Sequence, residues 1–327
     1  MQKTSWQSQL AMAVTEPEEL FTLLQLQDRM PDFSAQAIPL FPLRIPHSFI
    51  ARMEPGNPND PLLLQVLPRS FELIQMPGFS NDPLGEAQKL KIPGLLHKYK
   101  SRVLLLLAGG CAVNCRYCFR RHFPYQENVV SIKHIERILE YIEQDNSIQE
   151  IILSGGDPLV VKDELLQSLI TRLDKIKHLK YLRLHTRFPI MIPERITDDL
   201  IKILKNTHLI CSVVVHCNHP NEINQHVADA IEKLRVHKIN VFNQSVLLKN
   251  INDSAEILIE LSHRLYAAGI MPYYLNLLDP VQGAAHFDVK EDQAKQIMHV
   301  LRRELPGYLV PKLVREIEGE FNKVPIS

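Results

Sequence analysis

Three cysteines, Cys111, Cys115 and Cys118, stand within eight residues at the end of the apolar run RVLLLLA. Thiolates this close together bind soft metals, either as a zinc site or as an iron–sulfur cluster. Zinc takes four ligands, and His122, four residues after Cys118, would complete a Cys3His set. A 4Fe–4S cluster is usually held by four cysteines, so three leave one iron open to a substrate or a second cofactor. The other two cysteines, Cys211 and Cys217, lie in an apolar segment and read as buried thiols. Further polar residues recur where apolar runs end: Ser154, Gly155, Gly156 and Asp157 in SGGDP, His185 with Arg187, His216 with Asn218, and Asp279, while Gln244 lies inside such a run. SGGDP by itself also reads as a strand-to-helix turn with proline at the helix start.

The elements that must position these residues alternate regularly from residue 102 onward. Six apolar runs, 102–108, 150–156, 181–187, 209–217, 241–248 and 272–279, are separated by amphipathic patterns at 132–144, 162–176, 226–237 and 255–269. Near-continuous apolar strands covered by helices imply a parallel sheet. The expected fold is α/β, a partial (β/α)6 barrel of the TIM type, with a doubly wound open sheet as the alternative. In barrels chemistry collects at the C-terminal ends of the strands, which is where these polar residues fall.

Twelve of the 22 prolines precede residue 95, which marks off an irregular, partly helical N-terminal region. The expected organisation is that region over 1–95, the barrel over 96–305 and a short C-terminal segment over 306–327. A helix is expected from Glu16 to Leu26. The tetrapeptide NDPL occurs at 59–62 and again at 81–84, and reads as a repeated helix start. Lysine plus arginine equals aspartate plus glutamate at 37 each, which argues against a nucleic-acid binder with a broad basic surface. The most apolar segment is far shorter than the ~20 residues of a membrane span. No signal-type apolar stretch opens the chain, and the odd cysteine count argues against a disulfide framework. A cytoplasmic protein without nucleic-acid or membrane partners is expected.

The spacing C-x3-C-x2-C with an aromatic before the last cysteine, directly after the first strand of a βα series, is that of radical S-adenosylmethionine (SAM) enzymes. Six segments in order then resemble the lysine 2,3-aminomutase family of those enzymes: HKYKSRVLLLLAGGCAVNCRYCFRR, LSGGDPL, HCNHPNE, FNQSVLLKNIND, YYLNLLD and PKLVREIEGEFNKVP. Within it the chain is most similar to the short bacterial branch that makes β-lysine for modification of translation elongation factor P.

The resemblance implies three cofactors. Cys111, Cys115 and Cys118 would ligate a 4Fe–4S cluster, and SAM would take its open iron. Ser154, Gly155, Gly156, Asp157, His216 and Gln244 match positions that contact SAM, with Asp157 accepting from its ammonium. Lys323 occupies the position that holds pyridoxal phosphate covalently, and Lys98, Tyr99 and Arg102 match its phosphate-holding positions. For the substrate, Arg120 matches the arginine that pairs with the α-carboxylate, and Asp279 and Glu316 match the acidic pair that holds a lysine ammonium.

The implied reaction starts with one electron from an external reductant and cleavage of SAM to a 5′-deoxyadenosyl radical. Hydrogen leaves Cβ of L-lysine, nitrogen migrates, and hydrogen returns, so SAM is reused. The product, (R)-β-lysine, would pass to a lysyl ligase acting on elongation factor P. The chain ends before the cysteine-bearing tail of longer members, so no structural zinc is expected. The competing readings are a metabolic aminomutase acting on free lysine or another amino acid, and, in a different class, a zinc-binding scaffold.

Overall fold

The computed structural model describes residues 5–27, 32–131 and 133–327. The alternating apolar runs fold into one sheet of ten strands: β1 (Leu90–Ile92), β2 (Leu95–Tyr99), β3 (Arg102–Ala108), β4 (Glu150–Gly155), β5 (Tyr181–Thr186), β6 (Ile210–Val215), β7 (Asn240–Val246), β8 (Met271–Asn276), β9 (Lys312–Arg315) and β10 (Val324–Pro325). Spatial order follows chain order throughout. β3 to β9 run parallel, each beside the one before. β1 and β2 extend one edge antiparallel, and β10 extends the other.

A doubly wound sheet needs a point where strand order reverses. None exists here, so that alternative falls. The two edge strands do not pair, and the winding is that of an open, partial barrel. The six expected runs are β3 to β8. The seventh parallel strand, β9, and the edges β1, β2 and β10 have two to five residues each. Elements that short carry no readable period.

Helices Ile135–Gln144, Asp163–Leu173, Asp198–Lys205, Gln225–Val236, Ala255–Ala267 and Glu291–Glu304 connect the parallel strands. The pattern expected from residue 132 begins at Ile135, and Ile132 lies outside the described residues. Helical spacing puts Leu166, Leu169, Ile170 and Leu173 on one buried face. Thr197, Asn224 and Ser254 cap three of these helices by accepting from Leu200, Val227 and Ile257 backbone N–H groups. Along β5, Leu182 and Leu184 are fully buried in the core, while Arg183 and His185 line a cavity on the opposite face. The two-residue period of a strand thus divides core from site.

The N-terminal region is built from short helices, including Trp6–Ala11 and Pro17–Leu24. Trp6 packs edge-on against Phe188, with centroids 5.8 Å apart, and the Arg195 guanidinium lies 4.5 Å from its ring. Both NDPL aspartates act as caps. Asp60 accepts from Leu62 and Leu63 N–H, and Asp82 from Glu86 and Ala87 N–H. More important for the site, this region clamps the cysteine loop. Fully buried Arg116 donates Nε and Nη2 to Glu72 at 2.9 and 2.5 Å, and Arg121 donates to the same carboxylate at 2.6 Å. Removing one partner of such a buried pair costs about 3–5 kcal/mol.

Candidate active site

The C-terminal ends of β3 to β8 surround a cavity of about 370 Å³, within the range of small-ligand sites. Every residue singled out for cofactor or substrate contact in the sequence lines it, from Lys98 near one end of the sheet to Lys323 at the other. Cys211 and Cys217 do not. Both are buried thiols, with Cys211 Sγ donating to Leu204 O and Cys217 Sγ to His219 O.

Cys111, Cys115 and Cys118 sit on the loop after β3 with their side chains partly exposed to the cavity. Burial pushes the Cys111 thiol well up, reinforced by Asp157 and the other two cysteines, and pushes Cys118 up to about 11. A metal cluster binding the sulfurs as thiolates would offset the cost of ionising Cys111 and Cys118. His122 turns away: its Nε2 lies 3.1 Å from Gln282 O, which argues against a Cys3His zinc site. Among the described residues no three His, Cys, Asp or Glu side chains converge tightly enough for a single ion. A cubane binds each thiolate through a different iron and spaces its ligands more widely, so the cysteine loop is compatible with it.

The SGGDP turn follows β4 and presses against that loop. Gly156 N donates to Ala108 O at 2.7 Å and Asp157 N to Gly110 O at 2.9 Å. Gly155 has φ +125°, and a Cβ there would meet Ala108 O at 2.4 Å; at Gly156 it would meet Gly110 O at 2.3 Å. The glycines are thus required by the neighbouring backbone itself. Asp157, expected as a free acceptor, is engaged inside the protein. Its carboxylate accepts from Leu159 N and Arg187 N and from the Thr186 hydroxyl, at 2.7–3.0 Å. It ties the ends of β4 and β5 together, the turn-capping alternative for this motif.

The charged residues form a continuous chain across the cavity. Arg120 donates Nε and Nη2 to Glu86 at 2.6 and 2.8 Å, and Nη1 to Ser154 Oγ and Gly155 O. Glu86 also pairs with Lys98 at 2.8 Å. Lys98 in turn pairs with Glu316 at 2.8 Å, and Glu316 lies 3.5 Å from Lys323 Nζ, which donates to Asn276 Oδ1 at 2.7 Å. Two of the groups expected to meet substrate are engaged within the protein. The Arg120 fork, expected for a substrate carboxylate, holds Glu86. Glu316, expected for the substrate ammonium, already faces two lysines, which outweigh burial and hold its carboxyl below the usual range.

Asp279 behaves differently. Among the described residues its carboxylate has no hydrogen-bond or ion-pair partner, and burial pushes it up to about 7 against the pull of Lys323. It is the acid in this cavity open to a cation. His216 stacks on Tyr117 and is held neutral, down to about 3, by burial and then by Arg187 and Lys323. At the other end Arg102 Nη2 donates to Asn322 Oδ1 at 2.7 Å and the Arg102 guanidinium carbon lies 4.4 Å from the centre of the Tyr99 ring, so Tyr99 and Arg102 stand beside the neighbour of Lys323.

Glu86 is the functional-site residue the sequence does not reveal. It opens a four-residue helix after Gly85 and has no pattern linking it to Arg120. Burial raises its carboxyl, but Arg120 and Lys98 win and bring it to about 2. A depressed carboxyl stabilises the fold above its unfolded value near 4.5 and loses that contribution as pH falls toward about 2. Glu86→Gln should therefore lower stability at neutral pH by about 3–5 kcal/mol. It should also flatten acid unfolding between those pH values, as read by circular dichroism.

Comparisons with known proteins point to one family. A sequence profile described as Radical SAM superfamily matches residues 105–261, from β3 and the cysteine loop into the helix after β7. The chain is 51% identical to the L-lysine 2,3-aminomutase of Escherichia coli (strain K12), over 99% of this chain and 95% of that protein. It is 49% identical to the enzyme of the same name from Haemophilus influenzae, over 98% and 95%. Against that of Clostridium subterminale it is 33% identical over 98% of this chain and 77% of that protein. With such identity along nearly its whole length, the chain belongs to the L-lysine 2,3-aminomutase family, isomerases of the radical SAM superfamily.

Proposed function

We propose that this protein converts L-lysine to β-lysine, using a 4Fe–4S cluster, SAM and pyridoxal phosphate. The observation that carries the reading is one cavity lined at once by the three cysteines, by Lys323 and by the unpaired carboxylate of Asp279. Family membership supplies the three cofactors. When bound, they would supply a carbon radical able to take hydrogen after one-electron reduction, and an aldehyde through which the substrate's amino group can shift between carbons.

The chain's own residues hold and orient. Cys111, Cys115 and Cys118 ligate the cluster. Ser154, Gly155, Gly156, His216 and Gln244 line the SAM side, where neutral His216 offers a hydrogen bond without added charge. Lys323 holds the coenzyme, with Lys98, Tyr99 and Arg102 beside its phosphate. Arg120 is the candidate for the substrate α-carboxylate, and binding there requires Glu86 to share or yield the fork. Asp279 takes the side-chain ammonium and disfavours glutamate, because a buried carboxylate would face another. The cavity wall keeps water from the radical. The three segments, 1–95, 96–305 and 306–327, divide this work into clamp, barrel and coenzyme lysine.

Likeness to the short bacterial branch supports a finer reading. The product is (R)-β-lysine, and a lysyl ligase delivers it to elongation factor P in the cytoplasm. No helix among the described residues is long and apolar enough to cross a membrane. Anaerobic incubation with a panel of amino acids, SAM and a strong reductant, followed by chiral product analysis, tests the reading. (R)-β-lysine from lysine alone is expected; rearrangement of glutamate in preference to lysine would overturn it.

Asp279 gives a second test. Asp279→Asn removes a charge-assisted contact with a buried ammonium, a loss of about 2–5 kcal/mol in lysine recognition. Iron content and SAM affinity should not change. Since burial pushes the Asp279 carboxyl up to about 7, kcat/KM for lysine should rise with pH in that region and level off above it. The Asn variant should lack this limb. A wild-type profile in the variant would remove Asp279 from the substrate site.

A further inference from the structure

Arg187 follows β5 and is 6% exposed. Its Nη1 donates to Cys115 Sγ at 2.7 Å. Its Nη2 donates to Gln65 Oε1 at 2.6 Å and Glu222 Oε2 at 2.9 Å, and its backbone N to Asp157 at 2.7 Å. The guanidinium lies 5.6 Å from the Phe49 ring and 5.8 Å from the Tyr117 ring. Glu222 is itself fully buried, accepting from Asn218 N, His219 N and Gln65 Nε2 at 2.9–3.1 Å. Among the described residues no charged side chain donates to the sulfur of Cys111 or Cys118. The arrangement is a rigid buried cation aimed at one cysteine of three.

We propose that Arg187 tunes the metal cluster: its hydrogen bond to Cys115 stabilises the reduced form and raises the potential at which the electron is accepted. This rests on the cluster reading given under the proposed function. Hydrogen bonds and positive charge at ligand sulfurs are among the means by which a protein sets such potentials. A thiolate bound to iron keeps lone pairs that can accept, so ligation leaves Cys115 Sγ able to take this hydrogen bond. Reduction adds one electron from an external low-potential donor. No bond breaks, and part of the added negative charge falls on Cys115 Sγ, the sulfur that Arg187 faces. Arg187 is a positioning and tuning residue, since it acts through Cys115. Glu222 keeps the guanidinium from being an unpaired buried charge, whose cost would otherwise drive it out of the site.

The test uses the reconstituted holoprotein without SAM or substrate. Iron and sulfide content are measured first. The reduced fraction is then followed by electron paramagnetic resonance during a redox titration with viologen mediators. Three variants are compared with wild type: Arg187→Gln, Arg187→Lys, and the double variant Arg187→Gln with Glu222→Gln, which leaves no buried charge unpaired. With full iron, both Gln variants should show a reduced-to-oxidised ratio about tenfold lower at a fixed potential, a midpoint about 59 mV more negative. Arg187→Lys, which keeps the charge, should stay closer to wild type. Full iron with a wild-type midpoint in the double variant would overturn the proposal. A wild-type protein that takes up no cluster would overturn the cluster reading beneath it.

Discussion

Replacing Cys115 by alanine should strip the cluster and abolish reductive cleavage of SAM. Two thiolates remain where three are needed, and each iron left without a protein ligand is exposed to solvent. The loss is compounded locally, because Arg187 Nη1 donates to Cys115 Sγ and would be left as a buried donor without an acceptor. The fold itself should survive. The loop is anchored independently, by Arg116 and Arg121 on Glu72 and by Arg116 N on Gln65 O. Iron analysis, visible absorption and 5′-deoxyadenosine formation check the prediction together. Full iron content with normal SAM cleavage would show that the cysteine triplet is not the cluster site.

Lys323→Ala should bring lysine turnover down to the protein-free control while leaving iron content and SAM cleavage intact. The separation follows from the architecture. The cysteines ride on the loop after β3, whereas Lys323 directly precedes β10 on the opposite side of the sheet. Nothing in the cysteine loop depends on the Lys323 ammonium, which contacts Asn276 and Glu316. The absorption of covalently held pyridoxal phosphate should vanish from the variant, because no other free amine substitutes for a lysine fixed at this point. Persistence of that band would mean that another lysine holds the coenzyme, and Lys98 would be the first to examine.

What could be read from the sequence followed from period and position. β3 to β8 are long enough, and apolar enough on the core side, to announce themselves. Polar residues at their C-terminal ends then had to share a rim, so His216, Gln244 and Asp279 fell together without any view of the chain in space. What escaped is of two kinds. β9 and β10 are short and lie in a segment with no alternation, so the extension of the sheet to the segment carrying Lys323 had no signature. The partners of charged groups escaped for a different reason. Arg120 and Glu86 are 34 residues apart, and no spacing rule links a four-residue helix to a loop beyond β3. Asp157 likewise reads equally well as a free carboxylate or a cap, and only its contacts to Leu159, Thr186 and Arg187 decide.

The proposed function requires that one cavity join radical generation to rearrangement of lysine. It is tested most directly by incubating the anaerobic holoprotein with lysine deuterated at C3, limiting SAM and a one-electron reductant, and weighing product and recovered SAM by mass spectrometry. Hydrogen removed from Cβ must pass through the 5′ carbon and return. β-Lysine in excess of SAM is expected, with deuterium in both the product and the recovered SAM. β-Lysine formed while recovered SAM stays free of deuterium, or SAM consumed with no β-lysine at all, would contradict it.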